Sequence, residues 1–293
     1  MSTESVGARY HGLDAWPSRD ILEVFVEGQM AAIAAVRAAS AQIEAAAEAV
    51  TKRMQAGGRL VYVGAGTSGR LALLDGVELL PTFDWPDDRV IYLIAGGEKA
   101  LTKAAEGAED DREAGKRDIQ NAKVTAKDAV IAVAASGTTP YTIAALETGR
   151  ALGALGIGIA NNPSAPLLAA AELPILLDTG PEAIGGSTRM KAGTAQKATL
   201  NLLSSLVMTR LGRVYDGYMV DLRATNTKLK KRSERMLMDI TGAGEAAARD
   251  ALARCSGKVK PAVLVIKGLS PEAADKALLD AGGSLRGALQ KLA

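Results

Sequence analysis

Along the chain, short β-branched apolar runs alternate with longer stretches in which apolar residues recur three and four positions apart. The runs are Leu60 to Val63, Val90 to Ile94, Val130 to Val133, Ile157 to Ala160 and Ile175 to Leu177. Five buried strands separated by helices predict an α/β fold with a doubly wound, mainly parallel sheet, and its functional loops belong at the carboxyl ends of the strands. Ahead of the sheet, the first seventeen residues hold Gly7, Gly12 and Pro17, show no period, and read as an irregular arm. Ser18 is placed to cap an Ala-rich helical segment from Arg19 to about Gln55, read equally well as one helix or two, which Gly57-Gly58 stops. Beyond Thr241-Gly242, helical pieces around Ala246 to Leu252, Ala273 to Leu279 and Leu285 to Leu292 predict a small C-terminal helical appendage. The expected domains are therefore an arm with helices over 1–56, the sheet domain over 57–242 and a helical domain over 243–293.

Three loops interrupt this pattern. Gly64-Ala65-Gly66-Thr67-Ser68-Gly69-Arg70 leaves the first strand and opens a helix expected from about Leu71 to Leu80, with Pro81 ending it. Ala135-Ser136-Gly137-Thr138-Thr139-Pro140 leaves the third strand and enters a helix near Tyr141. Gly185-Gly186-Ser187-Thr188-Arg189-Met190-Lys191 precedes a long helical pattern through Leu211.

Composition narrows the chemistry. A hydrophobic content of 48% fills a core, while 35 Lys and Arg against 33 Asp and Glu give a net charge of only +2, with no long basic run to bind nucleic acid. Any bound anion is held locally. Apolar stretches are broken well short of the roughly 20 residues that a membrane span needs, and Met1-Ser2-Thr3-Glu4-Ser5 lacks a basic then apolar signal, so the expected address is the cytoplasm. With one histidine, His11, and one cysteine, Cys255, neither a His/Cys metal cluster nor an internal disulfide can be built, and neither residue is assigned a role. No cofactor is expected, and acid–base work falls to Asp, Glu, Lys or Tyr.

Gly64, Gly66 and Gly69 spell the dinucleotide pattern G-x-G-x-x-G, which also wants an acid at the end of the second strand. Here Ile94 runs into Ala95-Gly96-Gly97, and Glu98 comes late. The hydroxyls support a different ligand: Thr67, Ser68, Ser136, Thr138 and Thr139 stand beside backbone amides at helix starts, a nest suited to a phosphate dianion. Tight turns without a ligand are the remaining reading.

Longer stretches carry a resemblance. Gly64 to Leu71, Ile94 to Gly97, Glu106 to Asp111, Ala134 to Gly137 with Thr139-Pro140-Tyr141, Gly186 to Lys197, Met219-Val220-Asp221 and Ala224-Thr225-Asn226 resemble the N-acetylmuramic acid 6-phosphate etherases. The resemblance implies a sugar-isomerase domain, a homodimer, and hydrolysis of the lactyl ether of a phosphorylated amino sugar to N-acetylglucosamine 6-phosphate and D-lactate. The family's catalytic glutamates fall on Glu78 and Glu109. Phosphate contacts are expected from Thr67, Ser68, Ser136, Gly137, Thr139 and Ser187, and further substrate contacts from Thr188, Arg189 and Lys191, with Lys197 a third cation nearby. A blander reading makes Glu78 a buried structural acid and Glu109 part of a solvated run, Glu109 to Glu113.

The chain also departs from the family pattern. Residues 3–9 read Thr-Glu-Ser-Val-Gly-Ala-Arg where Thr-Glu-x-Arg-Asn-Pro is usual, Gly76-Val77-Glu78-Leu79-Leu80-Pro81 replaces Ala-Ser-Glu-Cys-Pro-Pro, and Thr138 stands in place of Arg. Two alternatives stay open: an aldose–ketose sugar-phosphate isomerase, and a noncatalytic sugar-phosphate sensor similar to the glucokinase regulatory protein.

Overall fold

The computed structural model describes every residue except Met1, Ser2, Glu4, Ala104, Glu106, Arg223, Thr225 and Ala293. Glu4, Glu106 and Thr225, quoted above within motifs, therefore lie outside the described residues. The chain separates into two compact units, one of Met1–Val77 with Asp88–Leu206, the other of Glu78–Asp87 with Val207–Ala293.

In the first unit two helices, α1 (Ser18–Ala38) and α2 (Ser40–Gln55), precede β1 (Leu60–Gly64). The Ala-rich segment is thus two helices, and Ser18 is the first residue of α1, not its cap. There follow α3 (Gly66–Val77), β2 (Val90–Ile94), α5 (Arg112–Asn121), β3 (Ala129–Ala134), α6 (Pro140–Ala151), β4 (Leu155–Ala160), α7 (Pro166–Ala170), β5 (Leu173–Leu176) and α8 (Lys191–Arg210), with α4 (Leu79–Phe83) in the other unit. The five strands are parallel in the order β2-β1-β3-β4-β5. Every residue of β1, β3 and β4 is buried, as a sheet covered on both faces requires.

The expected helix from Leu71 to Leu80 begins earlier and breaks sooner. Gly66, at φ +52°, lets the chain turn from β1 straight into α3. The helix stops at Val77, and Pro81 sits inside the short α4 at its third residue, where an amide has no intrahelical partner to lose.

Besides α4, the second unit holds a two-stranded antiparallel ribbon, β6 (Val214–Tyr215) and β7 (Tyr218–Met219), and the helices α9 (Thr227–Thr241), α10 (Glu245–Arg254), α11 (Val259–Ile266), α12 (Pro271–Asp280) and α13 (Leu285–Gln290). Its core joins Val220, Met236 and Leu237 to Leu252, Val263 and Leu278. Because α9 packs into that core, the compact unit starts at Val207, and the boundary expected at 242/243 falls inside it. The helix α11 has no counterpart in the expected elements: its apolar residues run all round, so no helical stripe marks it.

Candidate active site

Strand order reverses between β1 and β3, the place where open α/β sheets bind ligands. The first two loops leave these adjacent strands. At the end of β1, a Cβ on Gly64 would fall 2.8 Å from the Gly69 Cα, so the glycine pair serves close packing of strand against helix. Thr67 and Ser68 lie in the first turn of α3, where backbone amides are left unpaired. Ser68 is buried and donates its hydroxyl to Gln196 Oε1 at 2.9 Å, while Gln196 Nε2 donates to Asn161 Oδ1 at 2.9 Å. Its hydroxyl proton is committed within the protein, which leaves the amide to face an anion.

In the second loop, Ser136 Oγ accepts from the Thr138 amide at 3.2 Å and the Thr138 hydroxyl at 3.0 Å. Thr138 therefore braces Ser136, whose own proton remains available to a ligand. Gly137 has φ +70°, and a Cβ there would come 2.4 Å from the Ala165 Cβ, so no side chain fits. Thr139 precedes α6 without capping it through its hydroxyl, and Pro140 opens the helix.

The third loop differs from expectation at its far end. Glu182, 1% exposed, accepts from the amides of Lys191 at 3.1 Å and Ala192 at 2.9 Å, so the protein supplies its own anion to the start of α8. Lys191 is turned inward: it is 7% exposed and donates from Nζ to the Thr179 carbonyl at 2.9 Å. Burial lowers its pKa, against the opposing pull of Glu182. The expectation that Lys191 reaches substrate is corrected on this point, since a lysine so enclosed braces the loop from within. Ser187 and Thr188 are half-buried and Arg189 is exposed.

The arm read as irregular reaches both loops. Thr3 is fully buried; its amide donates to Asn162 Oδ1 at 3.2 Å, Asn162 Nδ2 donates to Thr3 Oγ1 at 2.8 Å and to the Ser136 carbonyl at 3.2 Å, and the Gly186 amide donates to the Thr3 carbonyl at 3.2 Å.

Both glutamates are exposed. Glu109 occupies a short turn before α5, and two acids that follow it have other duties: Asp111 accepts from the Ala114 amide at 2.8 Å as the cap of α5, and Glu113 pairs with Lys116 at 2.7 Å. Glu78 stands at the break between α3 and α4 and opens the second unit. The buried acid of this stretch is instead Asp75, 4% exposed, which accepts from Tyr62 at 2.8 Å, Asn201 at 2.6 Å and Ser204 at 3.0 Å. Burial raises its pKa, although those hydrogen bonds oppose the rise.

A cavity of about 370 Å³ in the first unit is lined by Ile33, Thr67, Leu71, Arg189, Gly193, Thr194, Lys197 and Ala198. A larger one, about 1040 Å³, lies within the second unit around Arg213, Asp221 and Lys260 and holds none of the candidate residues. Among the described residues, no group of three or more His, Cys, Asp and Glu is arranged to hold a metal, and no helix is long and apolar enough to cross a membrane.

Comparison with known proteins decides the family. The model of the glucokinase regulatory protein N-terminal SIS domain matches residues 42–150. The N-acetylmuramic acid 6-phosphate etherase of Deinococcus radiodurans is 53% identical over 97% of this chain and 93% of its own length. The etherases so named of Streptomyces avermitilis and Geobacillus thermodenitrificans are 45% and 43% identical, each over 99% of this chain and over 93% and 99% of their own lengths. This chain belongs to the N-acetylmuramic acid 6-phosphate etherase family.

Within this family member, the motif Met219-Val220-Asp221 with Asn226 has a structural basis in the second unit. Val220 is in the core, Asp221 accepts from Lys260 at 2.5 Å and lies 3.4 Å from Arg213, and Asn226 caps α9 by accepting from the Leu229 amide at 2.9 Å. The sequence reading gives Asp75, Asn162, Glu182 and Gln196 no role. Each is polar and buried at a position whose partner lies far along the chain or in an unremarkable run, and only Gln196 fell inside a quoted motif.

Proposed function

We propose that this chain cleaves the lactyl ether of N-acetylmuramic acid 6-phosphate, yielding N-acetylglucosamine 6-phosphate and D-lactate. The observation that carries the reading is the 53% identity, over nearly the whole of both chains, to a protein named for that reaction.

An alkyl ether resists acyl-type attack, but in the open-chain sugar the C2 proton lies α to the aldehyde and lactate leaves from C3. Elimination is then the accessible route. One group removes the C2 proton, one protonates the departing ether oxygen, and water afterwards adds at C3. Two carboxyl groups in opposite protonation states meet these needs. We assign Glu109 as the C2 base and Glu78 as the acid that serves lactate departure and then activates water. Their exposure keeps both accessible to a substrate, and the partners of Asp111 and Glu113 set Glu109 apart from those two acids.

The phosphate is assigned to the loops at the reversal of strand order: the amides of Thr67 and Ser68, the hydroxyl of Ser136, the backbone at Gly137, and Thr139, with Ser187 from the third loop. Thr188 and Arg189 contact the rest of the substrate. The working protein is assigned as a cytoplasmic homodimer, supported by the exposed apolar face of α1 formed by Leu22, Val26, Met30 and Ile33. Cell fractionation beside a cytoplasmic marker checks the address.

Incubation of the purified protein with N-acetylmuramic acid 6-phosphate, followed by a D-lactate assay, tests the reaction. Catalytic release of lactate supports it. Intact substrate at saturating concentration rejects it in favour of an isomerase or a sensor.

A further inference from the structure

The three cations grouped near the third loop part company in the structure. Lys191 turns inward to the Thr179 carbonyl, whereas Arg189 and Lys197 line one cavity of about 370 Å³. Neither Arg189 nor Lys197 has an ion pair or hydrogen bond with the described residues, and the lining contains no acid. Lys197 acts electrostatically on the buried Asp75 carboxyl, and together with Arg189 it places two positive charges on one small cavity, which draw an anion into it. The rest of the wall limits what that anion is. Ile33 from α1, Leu71 from α3 and Ala198 from α8 are apolar, Thr67 adds a hydroxyl, and the hydroxyl of Thr194 donates to Gln29. A Cβ on Gly193 would stand 3.3 Å from the Thr188 carbonyl oxygen and in ordinary contact, 3.7 Å, with Leu71 Cδ1 and Thr67 Cγ2.

A volume at the small end of the roughly 300–1,000 Å³ typical of ligand pockets, two cations of which one is a planar guanidinium, and a short apolar wall suit a small aliphatic carboxylate. A phosphate has no apolar part to place against Ile33, Leu71 and Ala198. We propose that this cavity is a carboxylate subsite in which Arg189 and Lys197 hold the carboxylate of the lactyl group, and of released lactate, while the apolar wall receives its methyl group. The identity of the carboxylate rests on the etherase reading above; the existence of the subsite does not.

The test is titration of the whole protein with sodium D-lactate and, separately, with N-acetylglucosamine 6-phosphate, which has the phosphate but no carboxylate. Lys197 and Arg189 are exposed, so Lys197→Met and Arg189→Met are expected to keep the wild-type melting temperature. Each should weaken lactate about tenfold or more and change affinity for the sugar phosphate by less than about twofold. Ala198→Leu, which fills the cavity without touching the charges, should weaken lactate as well. Unchanged lactate affinity in Lys197→Met, or a loss confined to the sugar phosphate, overturns the inference. Wild-type protein that binds no lactate at any accessible concentration also overturns it. Lactate binding that depends on Lys197, in a protein that releases no lactate from the ether substrate, leaves the subsite standing and sinks the etherase reading instead.

Discussion

Ser136 and Thr138 show how one substitution relative to the family pattern is absorbed. With threonine in place of arginine, the loop loses a planar cation, and the threonine hydroxyl adds one hydrogen bond onto Ser136 Oγ at 3.0 Å beside the 3.2 Å bond from the backbone amide. Ser136→Ala should therefore raise KM for phosphorylated substrate about tenfold or more while barely changing the binding of an unphosphorylated analogue. Equal weakening of both compounds contradicts the phosphate assignment. At the two carboxylates, Glu78→Gln and Glu109→Gln should each lower kcat on the order of 10²-fold or more, because each removes a proton-transfer group while keeping the side chain's shape. A rate near normal in either variant removes that glutamate from the mechanism. The glycines and hydroxyls of the three loops stand out in the sequence because their spacing is local, whereas Glu78 and Glu109 rest on the family resemblance. Asp75 was not: nothing in Leu74-Asp75-Gly76 announces that Tyr62, Asn201 and Ser204 converge on it.

At the scale of elements, each of the five strands overlaps its β-branched run, most fully in the centre of the sheet, where β1, β3 and β4 are buried on both faces and write themselves as continuous apolar stretches. Helix starts were less legible. The start of α3 was placed five residues late because Gly66 and Gly69 read as loop, whereas the structure uses them to bring helix and strand together. The start of α8 is set by Glu182, nine residues before Lys191, a cap that no local capping pattern reveals. The helix α1 carries its own unpartnered surface: Leu22, Val26, Met30 and Ile33 recur at helical spacing, and Met30 is 69% exposed. If this face joins two copies, Met30→Glu should shift the protein from dimer to monomer in sedimentation velocity at micromolar concentration without lowering its helix content. A variant that stays dimeric moves the interface elsewhere, and a wild-type monomer removes it.

For the molecule as a whole, the amino-terminal ends of the central strands β1 and β3, remote from the loops, are tied by one buried charge. Asp128 accepts from the Arg59 amide at 2.9 Å, from the Arg59 guanidinium at 2.8 Å and from the Thr125 amide at 2.8 Å. Burial acts to raise its pKa, but the hydrogen bonds from Arg59 and Thr125 outweigh it and hold the carboxyl below the ordinary value. A depressed folded-state pKa contributes stability that is present above the unfolded value, about 3.9, and lost as pH falls through the folded one. Asp128→Asn should therefore cost on the order of 2 kcal/mol at pH 7 in urea unfolding, with the wild-type and variant curves converging below about pH 4. A difference that stays constant down to pH 3 contradicts the ion pair's role. The division of the chain into units was partly hidden from sequence for a related reason: residues 78–87 join residues 207–293 across more than a hundred positions, a pairing that no linker composition marks.

Breaking the ether on its sugar side, by elimination and then water addition at C3, leaves its mark on the fate of one oxygen. Reaction of N-acetylmuramic acid 6-phosphate in ¹⁸O-water, read by mass spectrometry, should place the label on C3 of N-acetylglucosamine 6-phosphate and none in the hydroxyl of lactate. In D₂O the same product should carry deuterium at C2. Label in the lactate hydroxyl, with the original oxygen kept on C3, contradicts the account.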